Sequence, residues 1–221
     1  WTPGQMIRMK RITSAVISRD GSRVAYTVSS PLMDGEQSEF LIHIWIASTN
    51  GTMNRQFTFG DKSCSNVRFS PDGKYLSFTS SRDGKAQLYL MFTDGGEAEK
   101  ITSQKNDVGA YAWSPDSKSL AFLMQDTLTA GEELDNKEKR DMKVVDKYKN
   151  SHLYVLSVKK DNEGKCPVKR LTVGEFHVTD INWSPDSRTI AFSHQQNPSA
   201  DIWTTSDISA VPAGGGDIKS L

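Results

Sequence analysis

Three carboxylates recur in one setting: Asp72, Asp116 and Asp186 each follow Ser-Pro and precede Gly or Ser. A ring of like carboxylates could hold a metal or relay protons. The same tetrapeptide is also turn chemistry, because proline presets φ at the second position and the Ser and Asp oxygens bond the local main chain. The turn accounts for all three without a ligand. A second group, Glu132-Glu133, could receive a free amino terminus, since paired carboxylates accept from one ammonium. The segment around it is rich in Glu and Lys, so a solvated charged loop is the competing reading. Arg82 and Asp83 either line an entrance or form a surface pair.

His43, His152, His177 and His194 show no H-E-x-x-H or other ligand spacing and read as ordinary strand or loop residues. Cys64 and Cys166 form no C-x-x-C and fall in different repeats, so both read as structural thiols. No G-x-S-x-G pentapeptide occurs that would expose a serine at a strand-to-helix turn. No catalytic residue, metal or cofactor is expected within the chain.

The elements that carry these residues repeat. Val67-Arg-Phe-Ser-Pro-Asp-Gly-Lys-Tyr-Leu-Ser-Phe78, Tyr111-Ala-Trp-Ser-Pro-Asp-Ser-Lys-Ser-Leu-Ala-Phe122 and Ile181-Asn-Trp-Ser-Pro-Asp-Ser-Arg-Thr-Ile-Ala-Phe192 are copies of one phrase. Ala15-Val-Ile-Ser-Arg-Asp-Gly-Ser-Arg-Val-Ala-Tyr26 is a worn fourth, with Arg19 in place of proline. Each continues into a third strand at Ile44, Leu88, Leu153 or Ile208. Each closes a fourth strand at Phe57-Thr58, Ile101-Thr102, Leu171-Thr172 or Leu221.

Successive Asp residues, from Asp20 through Asp72 and Asp116 to Asp186, are 52, 44 and 70 positions apart. The longest interval contains a polar insertion at 125–150. Four short strands per repeat of about 40 to 50 residues is the β-propeller signature. Leu76 and Phe78, Leu120 and Phe122, and Ile190 and Phe192 alternate with other residues at the period of two that turns one strand face to a core. No tryptophan is followed by Asp, which sets the WD40 version aside.

The expected fold is therefore all-β, with four blades of four antiparallel strands at about 12–58, 59–102, 103–172 and 173–221. A leader helix is expected within 1–11, opened by Thr2 as N-cap and Pro3 in the first turn. Lys plus Arg and Asp plus Glu both total 27, and no basic face stands out, so neither nucleic acid nor an anionic membrane is an expected partner. The apolar runs fall far short of the roughly 20 residues of a membrane span. A soluble chain is expected, and its compartment, cytoplasmic or periplasmic and secreted, is left open. The start at Trp1 reads as trimmed or processed.

The full set of features resembles the N-terminal propeller of the prolyl oligopeptidase family of serine peptidases. These are Trp-Ser-Pro-Asp-Ser followed by Leu-Tyr, the Gly95-Gly96 turn and the Ile-Thr or Leu-Thr closure. The Trp1-Thr-Pro leader, Phe40-Leu-Ile-His-Ile-Trp45 and the stretch from Arg140 to His152-Leu-Tyr tilt the resemblance to the acylaminoacyl and dipeptidyl peptidase branches. It implies a ring of seven or eight blades, and an α/β-hydrolase domain with a Ser, Asp and His triad, both completed outside these residues. It also implies that the propeller filters short peptides, with Glu132 and Glu133 as candidate substrate-binding residues. The alternatives are a TolB-like propeller that binds a protein partner, and a four-bladed propeller acting alone.

Overall fold

The computed structural model describes residues 2–34, 37–138 and 148–221. The charged part of the insertion and of the Arg140 stretch, at 139–147, lies outside the described residues, as does Trp1. The described residues form four four-stranded antiparallel sheets, each in simple up-and-down order. Blade one holds β1 (Arg11–Ile17), β2 (Arg23–Asp34), β3 (Gln37–Ser48) and β4 (Asn54–Gln56). Blade two holds β5 (Cys64–Phe69), β6 (Tyr75–Ser80), β7 (Gln87–Phe92) and β8 (Glu99–Lys100). Blade three holds β9 (Val108–Trp113), β10 (Ser119–Gln125), β11 (Ser151–Ser157) and β12 (Val168–Arg170). Blade four holds β13 (His177–Trp183), β14 (Thr189–Gln195), β15 (Asp207–Pro212) and β16 (Lys219–Ser220).

Helix α1 (Pro3–Ile7) precedes β1, and Thr2 closes a capping box with Gln5 at its start. Helix α2 (Ala130–Lys137) lies in the insertion between β10 and β11, and a 3-10 turn (Ala200–Thr205) lies between β14 and β15. The chain divides into two compact units, residues 1–103 with blades one and two, and residues 104–221 with blades three and four.

The repeated turn is built the same way four times. Ser18, Ser70, Ser114 and Ser184 each donate a hydroxyl hydrogen bond of 2.6 Å to the Asp two residues on. The same hydroxyls accept from the main-chain N–H five residues on, at 2.9 to 3.0 Å. The Asp carboxylates in turn accept from Ser22, Lys74, Lys118 and Arg188 N–H. The Asp oxygens are thereby committed to the turn, as the sequence reading expected. The residue after each Asp is left-handed, at φ 72° for Gly21 and 74° for Gly73, which explains glycine there. Ser117 and Ser187 hold the same conformation at φ 61° and 62°.

The threonine that closes each fourth strand also has a physical reason. Thr58, Thr102 and Thr172 hydroxyls accept from the N–H of Ile44, Leu88 and Leu153, each at 2.9 Å, where the ladder leaves the third strand without a partner. Each unit has its own core. In unit one Ala25, Ile44, Ile46 and Phe57 of blade one pack on Cys64, Leu76, Phe78 and Tyr89 of blade two. In unit two Ala121, Leu123, Leu153 and Leu171 of blade three pack on Val178, Trp183, Ile190 and Phe192 of blade four. No described helix is long and apolar enough to cross a membrane.

Candidate functional site

Up-and-down order sends the Ser-Pro-Asp turns and the glycine turns to one end of each blade. The loops between second and third strands, and the links between blades, go to the other. The second end carries the elaborations: the long β2–β3 hairpin in unit one, and the insertion with α2 and the 200–205 turn in unit two. It also carries large exposed apolar side chains. In unit one these are Met33, Phe40 and Phe59, the last 70 % exposed. In unit two they are Leu134, Tyr148, Val173 and Trp203, the last 69 % exposed. These side chains make that end of each unit a candidate interaction face.

In unit two a polar cluster anchors the insertion where it leaves the blade. Asp126, one residue past β10, lies 2.9 Å from Arg170 Nη2 and 3.3 Å from His152 Nε2. His152 is fully buried, and its Nε2 contact to Asp126 falls outside hydrogen-bond alignment. Its Nδ1 meets Thr172 Oγ1 at 3.2 Å. On the other side, Ser151 N–H donates to His177 Nδ1 at 3.0 Å, which requires an unprotonated nitrogen there. Phe176 sits among these rings, with centroids 5.6 Å from His152 and 5.2 Å from His194.

Burial pushes His152 below its ordinary value of 6.5; the Arg170 guanidinium adds to this, and Asp126 opposes it. Burial lowers His177 and, in unit one, His43 in the same sense. In the unfolded chain these imidazoles take up protons near pH 6.5, before the folded ones do. Their contribution to stability is therefore complete above pH 6.5 and is lost as the pH falls through the lowered folded values. We expect protection of the Ser151 amide from hydrogen exchange, relative to its intrinsic rate, to fall as the pH drops below 6.5 through the lowered value of His177, since protonated His177 cannot accept its bond, and to lose this pH dependence in His177→Gln.

Glu132 and Glu133 stand in the first turn of α2. Glu132 Oε2 accepts from Thr129 N at 2.7 Å and from Thr129 Oγ1 at 2.8 Å, and pairs with Lys149 Nζ at 2.6 Å. The Lys149 bond, followed by the two from Thr129, holds its carboxyl at about 2. Glu133 is exposed beside it. Arg82 lies 4.5 Å from the Tyr89 ring centroid and reaches Cys64 Sγ at 3.3 Å, and Asp83 pairs with Lys100 at 2.8 Å. Both cysteines are free thiols.

Sequence reasoning treated the histidines one at a time and missed that His152 and His194 both pack on Phe176 and that His177 accepts from the strand that carries His152. The signal was their placement near strand ends, His152 directly after the insertion, His177 at the start of β13 and His194 near the end of β14. Among the described residues no group of three or more His, Cys, Asp or Glu side chains could hold a metal ion.

The comparisons with known proteins agree with this architecture. Over 213 residues the chain is 32 % identical to the uncharacterized peptidase YuxL of Bacillus subtilis, covering 89 % of this chain and 31 % of YuxL. It is 25 % identical over 121 residues to dipeptidyl-peptidase 5 of Porphyromonas endodontalis, covering 55 % of this chain and 17 % of that protein. The chain thus spans a third or less of the length of these relatives. The acylaminoacyl peptidase of Pyrococcus horikoshii superposes with a TM-score of 0.69 at 16 % identity, over 100 % of this chain and 34 % of that one. TolB of Acinetobacter baumannii superposes with a TM-score of 0.58 at 19 % identity, over 96 % of this chain and 43 % of that one. At these identities the two structures speak for the fold. The family model for the TolB beta propeller domain matches residues 7–146. With the four repeated blades, that match places the chain in the TolB β-propeller domain family.

Proposed function

We propose that this chain is part of the propeller of a serine peptidase of the prolyl oligopeptidase family. It is non-catalytic in itself, and its elaborated end governs the access of short peptides to a hydrolase domain outside these residues. The observation that carries the reading is the 32 % identity to a peptidase along 89 % of the chain, in a relative of which these residues make up 31 %. The apolar residues and the anchored insertion at one end of each unit support it, because a filter needs a face to dock and a segment to obstruct. The blade boundaries at about 12–58, 59–102, 103–172 and 173–221 belong to the same proposal. The family match also supports a second reading, a TolB-like module whose rim binds a protein partner.

The test is a series of peptides of increasing length, assayed with the full-length product and with a variant in which 129–147 is replaced by a short Gly-Ser linker. We expect unchanged kcat/KM for a short N-acyl-aminoacyl anilide, which has no free amine for Glu132 and Glu133 to take, and new cleavage of long N-acylated peptides by the variant. Unchanged size selectivity would overturn the gate, and a full-length product inert toward every peptide would favour the binding module.

Amine capture by Glu132 and Glu133 is a separable part of the proposal. It requires E133Q as well as E132Q to raise KM for free-amino substrates and not for N-acylated ones. A loss confined to E132Q would mark the helix cap instead.

A further inference from the structure

One bond between blades occurs in both units at the same register, with a different acceptor in each. In unit one the N–H of Ile42, two residues before Ile44, donates to Ser63 Oγ at 3.1 Å. In unit two the N–H of Ser151, two residues before Leu153, donates to His177 Nδ1 at 3.0 Å. Ser63 and His177 each stand seven residues before the serine of the repeated turn, Ser70 and Ser184. The bond fastens the third strand of one blade to the start of the next. A hydroxyl accepts throughout the physiological pH range, whereas an imidazole nitrogen accepts only while it is unprotonated.

The two strands also differ in what lies beyond the bond. In blade one the ladder runs on past Ile42 to the pair of Asp34 and Gln37. In blade three Ser151 and Gln125 are the last pair. Past them the base of the insertion is closed by two bonds to the returning chain, Asp126 N–H to the Asn150 carbonyl at 2.8 Å and Gln125 Nε2 to the Lys149 carbonyl at 2.9 Å. Lys149 is paired in turn with Glu132 of α2. His177 therefore fastens the end of a ladder, the place where strands open most easily.

The titratable groups around His177 are His152 on β11, His194 near the end of β14 and the exposed Glu175 two residues back, while its partner across β14, Gln195, is neutral. Asp126 is paired with Arg170 and lies against His152, and among the described residues no carboxylate pairs with His177. Burial lowers His177, and a charge on it would oppose one on His152. We propose that His177 is an acid-released latch: its neutral imidazole fastens the first residue of β11 to blade four, and its protonation lets the base of the insertion, residues 125–126 and 149–151, come apart. The inference concerns unit two alone and is independent of the peptidase reading, since amide exchange reports it whether or not the product hydrolyses anything.

In the full-length product, hydrogen-exchange mass spectrometry should find the Asp126 and Ser151 amides losing protection together below pH 6.5. The loss, taken against intrinsic rates, should reach up to about tenfold per pH unit, the slope that one proton gives, and level off below the folded value of His177. Leu153 N–H, held by the Thr172 hydroxyl at 2.9 Å, should keep its protection over the same range. H177N, which sets an amide oxygen where Nδ1 accepts, should keep both amides protected and abolish the slope. H177A, which has no acceptor, should leave both exchanging at pH 7 as fast as wild type does in acid. A slope that survives in H177N would put the proton elsewhere, on His152 first, and overturn the proposal. Loosening of Ser151 with Asp126 still protected would also overturn it, because His177 would then hold one bond and not the base of the insertion. So would a parallel loss at Leu153, which would be acid unfolding of the blade.

Discussion

Replacing Trp183 by alanine is expected to cost about 3–5 kcal/mol, the range for removing a large aromatic side chain from a packed core. Trp183 is the last residue of β13 and is 9 % exposed within the core that joins blades three and four. Its indole N–H also donates to the Ala112 carbonyl of blade three, at 3.1 Å. Alanine would remove both the volume and the donor. Phenylalanine separates them: W183F keeps most of the packing and leaves that carbonyl without its donor, for a cost of about 1 kcal/mol. Denaturant unfolding of the three proteins orders them wild type, W183F, W183A. Equal losses in both variants would mean that the hydrogen bond, not the packing, holds these blades together.

Phe78→Ala should be comparably damaging in unit one, at about 3–5 kcal/mol. Phe78 is fully buried, and its ring lies 5.7 Å from that of Tyr89 with 13° between their planes. Arg82 is set 5.7 Å from the same ring, so the side chain supports both the core and the loop after β6. F78L retains most of the buried area and should recover more than half of the loss. A fully recovered F78L would assign the effect to volume, and an unrecovered one to the aromatic and cationic contacts.

The parts of this molecule that were legible in the sequence are those written as local repeats. Ser70, Pro71 and Asp72 state a turn in three residues, and the alternation of Leu76 and Phe78 states a buried face, because both depend only on neighbours along the chain. The closing Thr102 was legible as a repeated letter, but its reason, an acceptor for the Leu88 N–H, needs the fold-back of strands fourteen residues apart. The bonds from Arg55 to the Asp94 carbonyl and from Lys169 to the Gly214 carbonyl were hidden for a stronger reason. Each joins positions about forty residues apart in different blades, and blade two has Glu99 at the register of Arg55 and Lys169, so the column does not read as one residue type.

Glu132 shows the limit for the candidate site. Glu132-Glu133 reads as a paired acceptor in one dimension. In three, one carboxylate oxygen of Glu132 serves Thr129 and Lys149, with Glu133 standing exposed alongside. Burial and the facing of side chains across blades decide such points, and neither is periodic in the sequence.

The central claim, a non-catalytic propeller section of a serine peptidase, is tested most directly by treating the full-length product and the 221-residue chain with a serine-directed fluorophosphonate and with aminoacyl and N-acyl-aminoacyl chromogenic substrates. We expect the full-length product to be labelled and to hydrolyse one or both substrate classes, and the 221-residue chain to do neither. A full-length product that is neither labelled nor active would contradict the account and give the chain to the binding-module reading, and labelling of the 221-residue chain itself would refute its non-catalytic role.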